Sequence, residues 1–155
     1  MQLSARNETL AGAESCTAGL IAALVACIPG ASAVLWGSFV SYTEDAKESM
    51  LGIPKELIKQ HGPVSRFVAE AMATKALEKS GASWAYSVTG LAGPGGDGSP
   101  TPIGTVWISI AGRGEGKSGQ FHIESKKQIF TGTRDDIRSA SAIAVLEALL
   151  EKLHS

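Results

Sequence analysis

The sequence predicts an α/β fold, a three-layer α/β/α sandwich with a mixed β-sheet. Strand-like and helical segments alternate over residues 9–89, and this alternation is typical of parallel strands joined by helices. Two strand-like segments then follow each other over residues 103–129 around a glycine-rich turn, which indicates an antiparallel hairpin. The 155 residues show no internal repeat, linker or low-complexity segment, so we expect one domain over residues 1–155.

Local signals divide the first part of the chain into two strands and three short helices. The helices begin at residues that are typical of helix starts and end before glycine or proline. In chain order, the predicted elements are a strand over Thr9–Glu14, a helix over Thr17–Ile28, a strand over Ala33–Tyr42, and helices over Thr43–Met50 and Pro54–Gln60.

The second part of the chain contains two longer helices and three strands. The helix that begins at Ser65 has apolar residues at helical spacing and ends at Gly81, a residue suited to a left-handed C-terminal position. The last helix begins at Thr133, with acidic residues in its first turn and basic residues in its last. The remaining predictions are strands over Ser83–Thr89, Ile103–Ala111 and Gly119–Ile129, a hairpin turn at Gly112–Gly116 and a loop over Gly90–Gly104.

Composition argues against several classes of partner. The 14 basic and 15 acidic residues nearly balance, which gives no electrostatic reason to bind nucleic acid or an anionic membrane. The longest apolar run, about eleven residues, is shorter than the ~20 residues that span a bilayer. Cys16 and Cys27 would lie about 16 Å apart along a helix, beyond the ~7 Å that a disulfide allows. Free thiols without an export signal indicate the cytoplasm.

Ser15, Cys16 and Thr17 lie where the first strand passes into the first helix. Free main-chain N–H groups and the positive end of the helix dipole meet at such a junction and stabilise anions or oxyanions. Ser15 and Cys16 are therefore both candidate nucleophiles, and Cys16 would suit a cysteine hydrolase. Each also has a structural alternative, since serine is a common N-cap and a small buried cysteine is often packing.

A serine nucleophile needs a base. The three histidines, His61, His122 and His154, have no evident orienting carboxylate, and no pair has metal-ligand spacing, so we expect no metal. Lys47 is the best remaining base, because it follows Tyr42, at a strand end where sites of α/β sheets occur. Such a lysine needs a pKa of about 7–8 instead of about 10.4. The alternative is an ordinary solvated helix lysine.

The segment Thr89–Gly98 is rich in glycine and follows a strand, so its N–H groups can approach a ligand and form an anion-binding nest. No Gly-Lys-Ser/Thr sequence follows it, and the next element is a strand, which excludes a P-loop and a dinucleotide fingerprint. A flexible crossover is the alternative. Arg134 begins the last helix, where its charge opposes the dipole, which suggests either a clamp for phosphate or carboxylate or a surface ion pair.

Short motifs occur in a characteristic order along the chain. They are Ala13–Gly19, Gly37 with Tyr42, Lys47 and Leu51-Gly52, Gly62–Ser65, Thr89–Gly96, Pro102–Val106 and Gly132–Arg134. In these motifs and their order, from about Leu10 to Leu150, the chain resembles the CinA C-terminal domain family. The stretches Glu14–Thr17 and Thr89–Gly96 are the most specific in combination.

The resemblance implies the same sandwich fold and the hydrolysis of nicotinamide mononucleotide to nicotinic acid mononucleotide and ammonia, without metal or cofactor. It implies that Ser15 is the nucleophile, that Lys47 is its base, and that Tyr42 orients or relays the proton. It further implies a small-molecule nucleotide substrate in pyridine nucleotide salvage, a homo-oligomer of two or more chains, and no nucleic acid partner. The residues that would hold the nucleotide are Cys16, Thr17, Thr89, Gly90, Gly93, Gly95 and Arg134.

The chain departs from the family pattern beside these residues. Ala18 stands where the family has a second glycine, which predicts a narrower space beside the ligand. Thr43-Glu44 replaces Ser-Asn, and a carboxylate near Lys47 would raise the pKa of that lysine unless it points away. The alternative function is therefore a catalytically weak nucleotide-binding module, of the kind fused to other domains in proteins linked to competence and DNA damage.

Overall fold

The computed structural model describes residues 2–113 and 121–154. Within these residues the chain forms five β-strands, six α-helices and a 3-10 turn at Ala31–Ala33. The strands are β1 (Leu10–Glu14), β2 (Leu35–Val40), β3 (Trp84–Gly90), β4 (Thr105–Arg113) and β5 (Phe121–Ile129). The helices are α1 (Gln2–Ala5), α2 (Leu20–Ala26), α3 (Glu44–Leu51), α4 (Lys55–His61), α5 (Arg66–Ser80) and α6 (Arg134–His154).

The strands form a mixed sheet in the order β2-β1-β3-β4-β5. β1 pairs in parallel with β2 and β3, whereas β4 is antiparallel to both β3 and β5. The predicted parallel first half and the antiparallel strand pair after it are both confirmed. β4 extends through Gly112 and Arg113, and the rest of the turn expected at Gly112–Gly116 lies outside the described residues.

Helices cover both faces of the sheet, which confirms the three-layer α/β/α sandwich. Because side chains alternate along a strand, Ala11 and Ala13 of β1 face one side and Leu10 faces the other. The small alanines pack with α3, α4 and α5 in one core cluster. Leu10 packs with α1, α2 and α6 in the second cluster. β1 is consequently buried over its whole length.

The start of α2 differs from the prediction. A helix was expected over Thr17–Ile28, but α2 begins at Leu20 and ends at Ala26. Ala18 has a φ of 51° and Gly19 a φ of 93°, so both adopt left-handed backbone that cannot continue into a right-handed helix. Ser15 and Cys16 therefore lie in a turn that precedes the helix by several residues, and they do not form its first turn.

The other predicted helices and strands are confirmed over the described residues, with small shifts at their ends. Gly119 and Gln120, the predicted start of the last strand, lie outside the described residues. Ser65 caps α5, and its hydroxyl accepts a hydrogen bond from the N–H of Val68. Gly81 ends that helix with a φ of 68°, as a left-handed C-terminal residue should. Among the described residues, no helix has both the length and the apolar character that crossing a bilayer requires.

Candidate active site

The carboxyl ends of the parallel strands β1, β2 and β3 lie at one edge of the sheet, and ligands of such sheets bind beyond these ends. Ser15 follows β1, Tyr42 follows β2, and the glycine-rich loop 91–104 follows β3. A cavity of about 260 Å³ opens at this edge. Its lining includes most of the residues predicted for the site: Ser15, Cys16, Tyr42, Lys47, Thr89, Gly90, Gly93, Gly95 and Arg134.

Ser15 and Lys47 are in direct contact. The Nζ of Lys47 donates a hydrogen bond to Ser15 Oγ at 2.9 Å and to the main-chain oxygens of Ser41 at 3.0 Å and Tyr42 at 3.5 Å. The Ser15 hydroxyl can itself donate to the Tyr42 oxygen, 3.3 Å away. The Ser15 N–H donates to the carbonyl of Val88 at 3.0 Å, which ties the residue to β3. The predicted nucleophile and base are thus brought together.

Lys47 extends from α3 into the protein interior. Thr43 caps this helix as predicted, with its hydroxyl accepting the N–H of Ala46 at 3.1 Å. Lys47 is only 1% exposed, and burial disfavours its charged form, which lowers the pKa from 10.5 to about 8. The Glu44 carboxylate acts in the opposite direction without outweighing burial. The interpretation of Lys47 as a solvated helix lysine is therefore wrong.

Cys16 lines the same cavity, but its thiol is poorly suited to attack. The residue is 5% exposed, and burial raises the pKa of the thiol from 9.0 to about 11. Because the thiolate is the nucleophilic form of cysteine, Cys16 is predominantly unreactive near neutral pH. The geometry therefore favours Ser15 over Cys16 as the reacting side chain.

Arg134 joins the end of β2 to the glycine-rich loop. Its Nη2 donates to the hydroxyl of Tyr42 at 2.5 Å, and its Nη1 donates to the carbonyl oxygen of Gly93 at 2.7 Å. Tyr42 therefore contacts the Ser15–Lys47 pair through its main-chain oxygen, while its hydroxyl binds Arg134. A guanidinium carries five N–H groups, so Arg134 retains donors for an anion in the cavity.

The glycine-rich loop contains positions that require glycine. Gly93 has a φ of 75°, and a Cβ there would lie 2.8 Å from the side chain of Ile103. A Cβ at Gly90 would lie 2.9 Å from the main-chain oxygen of Thr105. The N–H of Leu91 donates to that same oxygen at 2.9 Å, which ties the start of the loop to β4. The loop backbone can therefore approach the cavity closely.

The structure corrects two expectations beside the cavity. Thr89 lines it, with its hydroxyl donating to the carbonyl oxygen of Pro63 at 2.8 Å. Thr17 is fully buried outside the cavity lining and donates to Glu14 at 2.7 Å, so the expected contact of Thr17 with a nucleotide is wrong. Ala18 is exposed and also lies outside the lining, so it does not narrow the space for a ligand.

Glu14, immediately before Ser15, was not predicted as a site residue. Its buried carboxylate accepts six hydrogen bonds at 2.7–3.2 Å, from Thr17 Oγ1, Ser38 Oγ, the Tyr86 hydroxyl and the N–H groups of Gly19, Ile21 and Ala22. The carboxylate thus occupies the N-terminus of α2. The anion bound at this helix end is therefore a side chain of the protein itself, and the expectation that the helix end serves the anion or oxyanion of a ligand is wrong. The sequence did contain a signal for this role, since Glu14 ends an apolar strand. A charge buried with such a strand needs hydrogen-bond partners nearby.

Arg138 of α6 was also not predicted. Its Nε donates to the carbonyl oxygen of Cys16 and its Nη2 to that of Thr17, each at 3.1 Å. Asp135, one turn earlier in the helix, pairs with the same guanidinium at 3.3 Å. No local pattern in the sequence indicates a contact between residues 122 positions apart, so sequence analysis had no signal for it.

Charges of both signs line the cavity. Lys47 and Arg134 supply cationic groups, and Glu44 and Asp97 supply carboxylates. Within residues 2–113 and 121–154, no group of three or more histidine, cysteine, aspartate or glutamate side chains is arranged to hold a metal ion. What the described residues offer is a serine hydroxyl, an amine of lowered pKa and groups that can bind a zwitterionic ligand.

Comparison with known proteins gives the family. The family described as the CinA C-terminal domain matches residues 1–153. The chain belongs to the CinA C-terminal domain family. A CinA-like protein of Prochlorococcus marinus subsp. pastoris is 43% identical over 136 residues, which are 88% of this chain and 30% of that protein. A CinA-like protein of Anaeromyxobacter sp. (strain K) is 43% identical over 148 residues, 96% of this chain and 35% of that protein.

This CinA-type chain thus spans about a third of the length of the curated relatives it matches.

Solved structures match over nearly the whole length of this chain. The competence damage-inducible protein A of Klebsiella pneumoniae superimposes with a TM-score of 0.91 at 34% identity, covering 98% of this chain and 90% of that one. The competence/damage inducible protein CihA of Agrobacterium tumefaciens gives 0.87 at 38% identity, covering 99% and 89%.

Proposed function

We propose that this CinA-type domain is an amidohydrolase that converts nicotinamide mononucleotide to nicotinic acid mononucleotide and ammonia. The observation that carries the proposal is the 2.9 Å contact between Lys47 Nζ and Ser15 Oγ in an environment that lowers the pKa of the lysine to about 8. A substantial neutral fraction of Lys47 is then present near pH 7–8, and a neutral amine can take the proton of a serine hydroxyl.

The contacts of Lys47 suit this role. A neutral amine has two N–H groups and one lone pair. The carbonyl oxygens of Ser41 and Tyr42 can accept the two N–H groups, which leaves the lone pair directed at Ser15 Oγ. The hydrogen bond between Ser15 and Lys47 then runs from the hydroxyl to the amine, which is the direction that proton abstraction needs.

The reaction follows as acyl transfer in two stages. Ser15 Oγ attacks the carboxamide carbon while its proton passes to Lys47 Nζ, and a tetrahedral intermediate forms. Lys47 returns the proton to the departing nitrogen, and the C–N bond breaks. Ammonia departs, and the acyl group remains on Ser15 as an ester. Water then attacks this ester, with its proton passing through Lys47 back to Ser15 Oγ, and the pyridine carboxylate is released.

The oxyanion of each tetrahedral intermediate requires donors other than the N-terminus of α2, which the Glu14 carboxylate occupies. The main-chain N–H of Cys16 is the first candidate, because Cys16 follows Ser15 and lines the cavity. The N–H groups of Ala92 and Gly93 are the others, since both loop residues line the cavity as well. Donors that are held in place before the reaction stabilise the charge that develops.

The charges of the cavity agree with a nucleotide that carries both signs. The guanidinium of Arg134 suits a phosphate, and its contact with Gly93 places it beside the glycine-rich loop. The carboxylates of Glu44 and Asp97 suit the cationic pyridinium ring. Thr89, Gly90 and Gly95 line the same cavity and would contact the nucleotide between these charged groups.

Ammonia release from nicotinamide mononucleotide by the purified protein is the direct test. Ser15→Ala is the control, since it removes the attacking oxygen and leaves the cavity otherwise intact. Release by the parent protein, and none above background by Ser15→Ala, supports the proposal. Nucleotide binding in calorimetry without ammonia release would instead favour the binding-module alternative. Light scattering of the same sample tests the expected homo-oligomer.

A further inference from the structure

Groups of opposite charge hold the turn that carries Ser15. On the side of α2, the Glu14 carboxylate accepts the main-chain N–H groups of residues 19, 21 and 22 at 2.9–3.2 Å. On the side of α6, the Arg138 guanidinium donates to the carbonyl oxygens of residues 16 and 17, each at 3.1 Å. The Arg138 guanidinium thus acts on the main chain of the two residues that directly follow Ser15. The Glu14 carboxylate acts further along, at the end of the turn and the start of α2.

The turn depends on such anchors because its backbone is not a regular element. Residues 15–19 lie between β1 and α2, and Ala18 adopts left-handed backbone with a φ of 51°. This conformation is unfavourable for alanine and persists only where surrounding contacts hold it. Lys47, by contrast, is placed by α3 and by the carbonyl oxygens at the end of β2. The sheet fixes the start of the turn, because the Ser15 N–H donates to the carbonyl oxygen of Val88 at 3.0 Å. The path of the turn after Ser15 depends on the contacts that residues 16–19 make with neighbouring side chains.

We propose that Arg138 is a positioning residue that keeps Ser15 Oγ within reach of Lys47 Nζ by anchoring the turn to α6. The inference rests on the proposed function, in which Ser15 is the nucleophile. Arg138 lies outside the cavity lining, so it acts through the main chain of the turn and does not touch the substrate. Its side chain is 29% exposed, which makes replacement compatible with folding, whereas Glu14 is fully buried among six donors.

Arg113 provides a matched control. Its guanidinium makes the same kind of contact as that of Arg138, with Nε donating to the carbonyl oxygen of Ala82 at 2.9 Å and Nη2 to that of Leu77 at 3.1 Å. Arg113 lies at the opposite end of the sheet, because its neighbour Gly112 pairs with Trp84 at the start of β3. Replacing it removes two equivalent hydrogen bonds far from Ser15.

The test measures the reactivity of Ser15 with phenylmethanesulfonyl fluoride, which does not depend on the identity of the substrate. Ser15 Oγ forms a bond to the sulfonyl sulfur, the S–F bond breaks, fluoride leaves and the serine proton passes to Lys47. Peptide mass spectrometry follows the sulfonyl ester with time in the full chain. The variants are Arg138→Met, Arg138→Lys and Arg113→Met, with Ser15→Ala as the blank and thermal unfolding as the check of folding.

We expect Arg138→Met to label about 10- to 100-fold more slowly, the range that a displacement of about 1 Å produces. Arg138→Lys should regain part of the rate, since an ammonium can reach one of the two carbonyl oxygens. Arg113→Met should label at the parental rate. With nicotinamide mononucleotide, Arg138→Met should lower kcat and leave KM within about threefold.

Three results would overturn the inference. Arg138→Met could label at the parental rate, Arg113→Met could show the same loss of labelling rate as Arg138→Met, or Ser15 of the parent protein could fail to label. If Arg138→Met does not fold, the rate of Arg138→Lys relative to Arg113→Met decides in the same way. If the parent protein releases no ammonia but Ser15 labels and responds to Arg138, the proposed substrate is wrong and the positioning role stands. The two conclusions can therefore fail independently.

Discussion

Lys47 Nζ lies 2.9 Å from Ser15 Oγ, although the two residues are 32 positions apart in the sequence. Ser15 follows β1 and Lys47 lies in α3, so the contact exists only because the carboxyl ends of β1 and β2 are adjacent in the sheet. Burial lowers the pKa of Lys47 to about 8, so part of the lysine is in its neutral form near neutral pH.

Lys47→Met should lower kcat by about 10²–10⁴-fold, the range expected when a general base is removed. Methionine retains much of the side-chain volume but cannot accept a proton. Ammonia release from nicotinamide mononucleotide measures the effect. Lys55→Met is the control, because Lys55 of α4 is about half exposed and pairs with Glu48 at 3.0 Å on the surface. Unchanged kinetics of Lys47→Met would exclude this lysine as the base.

The value of kcat/KM should fall about tenfold per pH unit below pH about 8 and level off above it. The sign follows from the role of Lys47: the neutral amine is the active form, and protonation below its pKa removes it. The pH dependence of kcat/KM reports the pKa of the essential base in the free protein and is the measurement that tests this prediction. A profile that rises towards acidic pH would contradict a lysine base.

Glu44→Gln should move the acidic limb of this profile to lower pH, because the Glu44 carboxylate raises the pKa of Lys47. Glu48→Gln is the matched control on the same helix. Glu48 pairs with Lys55 and does not contribute to the shift at Lys47, so its variant should keep the parental profile.

Cys16→Ala should retain most of the activity, whereas Ser15→Ala should lose it. The thiol of Cys16 has its pKa raised to about 11 by burial and stays protonated at neutral pH. Its main-chain N–H, which the alanine variant keeps, is the part that we propose contacts the oxyanion. Ammonia release by both variants at pH 8 decides the matter. The opposite pattern would make Cys16 the nucleophile.

Tyr42→Phe should raise KM about 5- to 10-fold, which corresponds to about 1–1.4 kcal/mol for the lost hydrogen bond to Arg134. The main-chain oxygen of Tyr42, which contacts Ser15 and Lys47, is unchanged in this variant, so kcat should stay close to the parental value. Steady-state kinetics separate the two parameters. A large fall in kcat at constant KM would instead assign the hydroxyl to proton relay.

Ala18→Gly should stabilise the protein by about 0.5–1 kcal/mol, since relief of left-handed strain exceeds the entropic cost of glycine. Ala18 has a φ of 51° and is exposed. Ala23→Gly is the matched control, because Ala23 is also exposed but helical, and glycine there should cost about 1 kcal/mol. Urea unfolding should show that the free energy of unfolding rises in Ala18→Gly and falls in Ala23→Gly. A change of the same sign in both variants would contradict the strain argument.

Elements with local signals were predicted well from the sequence. The cap at Ser65, the helical spacing after it and the left-handed Gly81 all lie within one segment, so neighbouring residues suffice to indicate α5. The start of α2 could not be predicted in this way. The left-handed backbone of Ala18 and Gly19 ends the turn immediately before Leu20. The N–H groups of residues 19, 21 and 22 then donate to Glu14, a contact that forms only when β1 and α2 pack together.

The sequence by itself determined the order of strands and helices and the chemical types at the site: a serine after β1, a lysine in α3 and a glycine-rich loop after β3. These features follow from residue type and local spacing. Only the tertiary structure decided that Lys47 is buried beside Ser15, that the Glu14 carboxylate lies at the start of α2 and that the Arg138 guanidinium contacts the turn. Desolvation and main-chain contacts arise when distant segments pack together, and no local pattern contains them.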